Sequence, residues 1–218
     1  MKGLSKHTAP VFDFIKNLYI LEDYLLVGGT ALSIQINHRL SEDLDFCKWQ
    51  DNQSISSKEV NWPGIESALK DLGEVKTDIV DLYHADFLVS GVKISFYSNG
   101  MANSREISSN PNFDRVRPAD LLSLGTMKLE VMSRRNIFRD YYDVYSILNE
   151  GIPLKKIVEL CGRYSRHRLK TRMILAILGD SSRFKYEREF KLLEPRYSVN
   201  SIDIGEFMQE RIRDEFGK

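Results

Sequence analysis

No stretch of this 218-residue chain approaches the roughly 18 uninterrupted apolar residues of a membrane span. The opening Met1-Lys2-Gly3-Leu4-Ser5-Lys6-His7 leads into no apolar run that could form a secretory signal. A cytoplasmic protein with no membrane partner is expected. Cysteine is scarce: Cys47 and Cys161 lie far apart and neither belongs to a C-x-x-C pair, which points to buried thiols rather than a disulfide or a metal site. No Gly-x-Ser-x-Gly elbow and no His-Glu-x-x-His helix occurs, so the common hydrolase chemistries are excluded. His38 and His84 have no metal-ligand partner at helical or strand spacing and are expected to play structural roles. Internal repeats and low-complexity tracts are absent. Net charge is also lacking, with 31 basic and 31 acidic residues.

The charges that cancel overall are unevenly placed. Residues 1–114 carry 10 Lys/Arg against 16 Asp/Glu, whereas residues 115–172 carry 13 against 6. Such a basic block suits either a solvated helical face or a phosphate-rich partner. Hydrophobic residues make up 42% of the chain, enough for a sizeable core.

Texture changes once along the sequence. From Tyr24 to Tyr97, β-rich runs (Tyr24–Val27, Leu44–Phe46, Asp78–Leu82, Phe87–Val89, Val92–Tyr97) alternate with helical stretches, one opening after Gly29 and one over Lys58–Leu72. Ser90-Gly91 between two runs predicts a hairpin turn, hence a mixed sheet. Ser98–Asn112, rich in Ser and Asn, is expected to be a long loop. Helical patterning then continues: Pro118 suits a first helical position, followed by Leu121–Val131, Phe138–Leu148, Leu154–Cys161, Arg172–Leu178 and Ile204–Phe216. The predicted class is α+β, with an α/β domain over residues 1–112 and a helical domain over 113–218. Tyr141, Tyr142 and Tyr145 could stack on a base, but aromatic residues at helical spacing more often form core.

Candidate chemistry concentrates in Val27-Gly28-Gly29-Thr30-Ala31-Leu32 and in His38-Arg39-Leu40-Ser41-Glu42-Asp43-Leu44-Asp45-Phe46. A strand ending in two glycines lets backbone N–H groups approach a ligand, and the positive end of the following helix favours phosphate. No Gly-Lys-Ser/Thr follows, so this is not a Walker loop, and a plain tight turn is the competing account. Asp43 and Asp45, alternating on a strand, point to one face, while Leu44 and Phe46 point to the core. Two adjacent carboxylates repel unless a cation lies between them, and hard oxygen donors suit Mg²⁺ or Mn²⁺. The alternative is an acidic pair on a solvated strand. Asp140 and Asp143 share a helix face, with Lys128 on the preceding helix. A salt-bridge cluster of Arg135 with Asp140 and Arg139 with Asp143 would equally explain them. Arg39 is open between a phosphate contact and a surface ion pair.

Gly28-Gly29-Thr30-Ala31-Leu32, His38-Arg39, Ser41 and Asp43-Leu44-Asp45-Phe46, with the later run Lys128–Leu148, resemble the signature of the AbiEii/AbiGii toxin family of nucleotidyltransferases, within the DNA polymerase beta superfamily. The resemblance spans roughly residues 25–148. It implies that Gly28, Gly29, Thr30 and Arg39 line a nucleoside triphosphate, that Ser41 supports the site, and that Asp43 and Asp45 hold metal. It implies further that Lys128 contacts phosphate and that Asp140 or Asp143 belongs to a helical motif of the site. A tRNA or other RNA acceptor, a protein acceptor, and a separately encoded antitoxin partner follow from the same resemblance.

One departure stands out. The run Val92–Tyr97 has Ser95 where relatives often carry a third carboxylate, and a neutral hydroxyl is a poor general base. Asp81 or Asp86, on adjoining candidate strands, are the acids that could substitute. Without such a substitute the chain would be a nucleotide- or RNA-binding module of the same fold. A helix-turn-helix DNA binder in the basic half would leave the Gly-Gly-Thr and Asp-Leu-Asp segments unexplained.

Overall fold

The structure is a computed structural model and describes residues 1–49, 59–99, 107–110, 113–165 and 169–217. The chain forms two compact units, Met1–Asp120 and Leu121–Lys218.

In the first unit, α1 (Thr8–Ile15) precedes a 3₁₀ turn, Tyr19–Asp23. There follow β1 (Leu25–Val27), α2 (Gly28–Ile36), β2 (Leu44–Trp49), α3 (Trp62–Leu69) with a 3₁₀ turn at Lys70–Leu72, β3 (Val75–Val80), β4 (His84–Val89), β5 (Val92–Asn99) and β6 (Arg117–Pro118). The strands lie in the order β3-β4-β5-β2-β1-β6. β4 runs antiparallel to β3 and β5, β5 pairs parallel with β2, β2 antiparallel with β1, and β1 parallel with β6. This is the expected mixed sheet of an α+β protein.

Period-two alternation divides the sheet into two faces. Leu26, Leu44, Phe46, Ala85, Phe87, Ile94 and Phe96 lie on one face and are fully buried. Phe46 stacks on Phe96 at 5.0 Å, with Tyr24 and Phe87 edge-on to the same ring. Each buried large side chain contributes about 1.5–3 kcal/mol, so a one-residue slip that turned this set to solvent would be very costly. Register is thereby fixed, and Asp45, Ser95 and Asp86 are sent to the opposite face. Ser90 and Gly91 have φ of 51° and 78°, the left-handed pair that matches strand twist in a two-residue hairpin.

Pro118 does not open a helix. It pairs with Leu26 in β6, Ala119 N–H donates to the Leu26 carbonyl at 2.9 Å, and α4 begins only at Leu121. A residue preceding proline is driven toward extended backbone, and an edge strand tolerates the missing donor. The stretch expected as a loop from Ser98 is shortened, because β5 continues to Asn99. Ser109 then bridges Ala119, while residues 100–106 and 111–112 lie outside the described residues.

The second unit contains α4 (Leu121–Met132), α5 (Phe138–Asn149), α6 (Leu154–Tyr164), α7 (Thr171–Gly179) and α8 (Ser201–Phe216), with 3₁₀ turns at Ser181–Arg183 and Arg188–Leu193. Tyr141 and Tyr142 are fully buried in its core. The Tyr141 hydroxyl donates to the Leu178 carbonyl at 2.6 Å and its ring stacks on Phe184. α8 opens with a capping box in which Asn200 and Asp203 satisfy each other's backbone N–H groups. Among the described residues no helix is long and apolar enough to cross a membrane.

Candidate functional site

β1 runs directly into α2, and Gly28 is where the chain turns, with φ of 69°. Val27 lies opposite Asp45 in the β1–β2 pairing. The Asp45 carboxylate consequently leans over the glycine, and a Cβ on Gly28 would lie 2.5 Å from Asp45 Oδ2. A Cβ on Gly29 would collide with the Arg39 guanidinium and touch Ser41 Oγ. Both glycines therefore answer to close approach by charged side chains, which a plain tight turn would not require. The first-turn N–H groups of α2 have no intrahelical acceptors, and the helix dipole is positive at this end.

Arg39 is buried, at 4% exposure, and its Nη1 donates to the Leu40 carbonyl at 3.0 Å, so it is not a surface ion pair. Thr30 is likewise buried. Its hydroxyl donates toward Ser41 Oγ at 2.8 Å and lies against the Asp43 carbonyl. Thr30 and Ser41 thus brace the turn that presents Asp43. What Thr30 has available for an anion is its backbone N–H.

On the face opposite the aromatic core, three strands bring a row of side chains into register. Asp45 on β2 pairs with Ser95 on β5, and Ser95 pairs with Asp86 on β4. Asp43, just before β2, is exposed, and Asp45 is half-buried. Asp86 is 1% exposed, forms an ion pair with Lys93 Nζ at 2.7 Å and accepts from His84 Nε2 at 2.8 Å. Burial pushes the Asp86 carboxyl up, but Lys93, Ser95 and His84 together hold it below its ordinary range. The Lys93 ammonium is raised chiefly by its bond to Asp86, against a smaller burial effect, with Asp45 and Asp43 adding to it. Asp81 takes no part in the row: it sits beyond β3, exposed, accepting from Tyr83 N–H at 2.6 Å.

A divalent cation fits this row chemically. Among the described residues, no group of three or more acids, imidazoles or thiols forms a metal cluster. Mg²⁺, however, commonly takes one or two carboxylates and completes its octahedron with water and phosphate oxygens. Two carboxylates, Asp43 just before β2 and Asp45 within it, stand at this end of the strand.

In the second unit Lys128 is buried, with Nζ 2.7 Å from Asp140 Oδ1 and 2.7 Å from Asp143 Oδ2. Arg135 Nε donates to Asp140 Oδ2 at 2.8 Å. Asp143 therefore pairs with Lys128, and Asp140 with both Lys128 and Arg135.

A strand-to-helix turn shaped by Asp45 and Arg39, beside an in-register row of Asp45, Ser95 and Asp86, coincides with a match over most of the chain. Residues 20–216 match the model of the nucleotidyltransferase AbiEii toxins of type IV toxin–antitoxin systems. The chain belongs to the AbiEii nucleotidyltransferase family. It is 25% identical over 168 residues to an uncharacterized protein of Aquifex aeolicus (strain VF5), covering 77% of this chain and 78% of that one. It also resembles an H. pylori crystal structure described as a candidate nucleotidyltransferase, with 16% identity, a TM-score of 0.58, and coverage of 95% and 94% of the two chains. MenT4, a nucleotidyltransferase toxin from Mycobacterium tuberculosis H37Rv, overlaps with a TM-score of 0.46 and 16% identity, over 92% of this chain and 79% of that one.

In this AbiEii chain, sequence reasoning overlooked Lys93 and the link from His84 to Asp86. The signal was present in the hairpin: a two-residue turn at Ser90-Gly91 sets Val89 opposite Val92, and counting outward sets Asp86 opposite Ser95.

Proposed function

We propose that this AbiEii chain is a metal-dependent nucleotidyltransferase toxin that moves a nucleoside monophosphate from a triphosphate onto an acceptor that is either an RNA, such as a tRNA, or a protein. In it the first unit is the nucleotidyltransferase domain and the second a helical domain. The observation that carries this proposal is the approach of Asp45 to Gly28 at the N-terminus of α2. It sets a cation-binding carboxylate beside an anion-binding helix end, the arrangement a metal triphosphate needs.

The roles follow from the chemistry each group offers. The amides of Gly28, Gly29 and Thr30 face the triphosphate with the positive end of α2, and the Arg39 guanidinium beside Gly29 adds fixed charge. Asp43 and Asp45 would hold Mg²⁺ or Mn²⁺, which when bound supplies charge neutralisation on the phosphates and acidity to an attacking hydroxyl. Transfer forms a bond from the acceptor oxygen to the α-phosphorus and breaks the bond from that phosphorus to the departing pyrophosphate. Thr30 and Ser41 keep Asp43 in place. Basic residues of the 115–172 segment suit an RNA backbone, whose phosphates dominate affinity. The mutual pairing of Lys128, Asp140 and Asp143 supports a role in joining α4 to α5. An antitoxin partner and a cytoplasmic setting are consistent with the family.

Incubation with each labelled triphosphate, Mg²⁺ or Mn²⁺ and total RNA tests the proposal, comparing wild type with Asp43→Ala and Asp45→Ala. Label should transfer with wild type and be lost in both variants. Equal transfer by all three proteins would place the chemistry elsewhere. Ser95, standing where relatives often carry a third carboxylate, favours one other reading, a binding module, for which wild type would hold triphosphate without transferring label.

A further inference from the structure

Asp43 stands one residue before β2, which begins at Leu44. The pairing of β2 with β5 starts at Leu44 and Ile94, so that ladder does not fix the Asp43 backbone. A ligand carboxylate keeps its direction only if the residue carrying it is held by its surroundings. Two buried threonines supply that hold, one on each side of Asp43. The Thr30 hydroxyl, from α2, lies against the Asp43 carbonyl. The Thr8 hydroxyl, from the first turn of α1, donates to the Glu42 carbonyl at 2.8 Å, and Thr8 is 0% exposed. The Glu42 carbonyl and the Asp43 N–H share one planar peptide group. Both peptide planes that meet at the Asp43 Cα are therefore tied to the protein.

Thr8 is fixed in its turn. Its hydroxyl oxygen lies 2.9 Å from Ser5 Oγ. A hydroxyl has one proton to give and a carbonyl has none, so Thr8 gives its proton to Glu42 and Ser5 gives its own to Thr8. Ser5 Oγ accepts from the Thr8 N–H at 3.2 Å. Backbone bonds secure the same segment to the loop: Ser41 N–H donates to the Gly3 carbonyl at 2.9 Å, and Ser5 N–H to the Ser41 carbonyl at 3.0 Å. Gly3 has φ of 82°, and a Cβ there would lie 2.2 Å from the Ser33 carbonyl oxygen, so this segment is also pressed against α2.

Resting on the cation-site reading above, we propose that Thr8 is a positioning residue of that site: through the Glu42 carbonyl it fixes the backbone from which Asp43 reaches the cation. It acts at one remove, by way of a peptide group. Ser5 and Thr8 precede the residues that match the AbiEii family, 20–216, whereas Thr30 and Asp43 lie within them. The segment ahead of the matched region thus completes the support of a carboxylate inside it.

Titration of the full chain with Mn²⁺ alone, following free Mn²⁺ by electron paramagnetic resonance, separates this role from the site reading and from a merely structural one. Asp43→Asn should lose most of the affinity. Thr8→Val keeps the shape, removes the hydroxyl, and should weaken binding about tenfold, the usual cost of removing a supporting group at a metal site. Thr8→Ser keeps the hydroxyl and should bind as wild type does. Thr8→Ala differs from Thr8→Ser by that hydroxyl alone and gives the same comparison should Thr8→Val fail to fold. Ile15, buried on the same helix, provides the control: Ile15→Val should unfold at lower urea concentration with Mn²⁺ affinity unchanged. If Thr8 acts through Asp43, the Thr8→Val/Asp43→Asn double variant should bind no more weakly than Asp43→Asn. Wild-type affinity in Thr8→Val, an equal loss in Thr8→Ser, weakened binding in Ile15→Val, or losses that multiply in the double variant would each overturn the inference while Asp43→Asn still loses binding. Unchanged binding in Asp43→Asn would instead overturn the cation site, and this inference with it.

Discussion

Gly28 and Asp45 meet so closely that a methyl group on the glycine would lie 2.5 Å from Asp45 Oδ2, and Gly28 is held at φ of 69°. Gly28→Ala should therefore do two things: cost about 1–2 kcal/mol through left-handed strain and displace the carboxylate. Gly73 is a matched control, because its φ is 128° and nothing lies within 4 Å of its added Cβ. Urea unfolding should show both alanine variants destabilised, while Mn²⁺ titration should show only Gly28→Ala impaired. Equal Mn²⁺ binding in the two would mean that Asp45 is not the ligand.

Much of the first unit is legible because its cues are local. Leu44 and Phe46 alternate with Asp43 and Asp45, so the core face and the acidic face can be read from four residues. Ser90-Gly91 declares its turn. Pro118 is misread because β6 is only two residues long and its partner Leu26 lies far away in sequence, so no local period exists to report it. The parallel pairing of β2 with β5, which sets Ser95 beside Asp45, is likewise a long-range event invisible to periodicity. α1 is overlooked although Thr8, Val11, Phe12 and Ile15 keep helical spacing, since eight residues make a short signal. For Thr30 and Lys128, residue type suggests phosphate, and only the coordinates reveal that each polar group already has protein partners.

Thr30→Val preserves shape and removes the hydroxyl that links Ser41 Oγ to the Asp43 carbonyl. Because the site is buried, the loss should cost about 1–2 kcal/mol. Asp43 should also be held less firmly, so Mn²⁺ affinity should fall with stability in this variant. Thr30→Ser, which retains the hydroxyl, should recover the affinity. A valine variant that loses stability but keeps full Mn²⁺ affinity would show that Thr30 supports the fold and not the carboxylate.

Lys128→Ala leaves Asp140 and Asp143 buried without their shared ammonium. Breaking one side of a buried ion cluster costs about 3–5 kcal/mol, so the variant should unfold at markedly lower urea concentration. Lys128→Met with Asp143→Asn removes the stranded charge and should recover most of the loss. If Lys128→Ala instead melts like wild type and is defective only in triphosphate binding, the lysine's partner is phosphate and not the two carboxylates.

The two thiols should be silent in the native protein. Burial pushes the Cys161 thiol up to about 12 and raises Cys47 well above its usual value. Thiolate is the reactive form, so a disulfide reagent such as dithionitrobenzoate at neutral pH should label neither residue until urea unfolds the chain. Rapid labelling of one thiol without denaturant would show that its helix or strand opens locally.

Acid should weaken the second unit by a route that Asp140 reports. Burial pushes its carboxyl up, but the charge of Lys128 and the bonds from Arg135 and Lys128 more than offset that and leave it below its ordinary value. A folded value below the unfolded one, about 3.9, contributes stability that is fully present above the unfolded value. That stability disappears as pH falls through the folded value. The stability gap between wild type and Asp140→Asn, followed by urea unfolding from about pH 6 down to pH 3, should hence narrow on acidification. Asp86 shares the sign of the shift, but it is present in both proteins and cancels in the difference. A gap that stays constant through this window would mean that Asp140 gains no more from Lys128 and Arg135 in the folded state than it does in the unfolded chain.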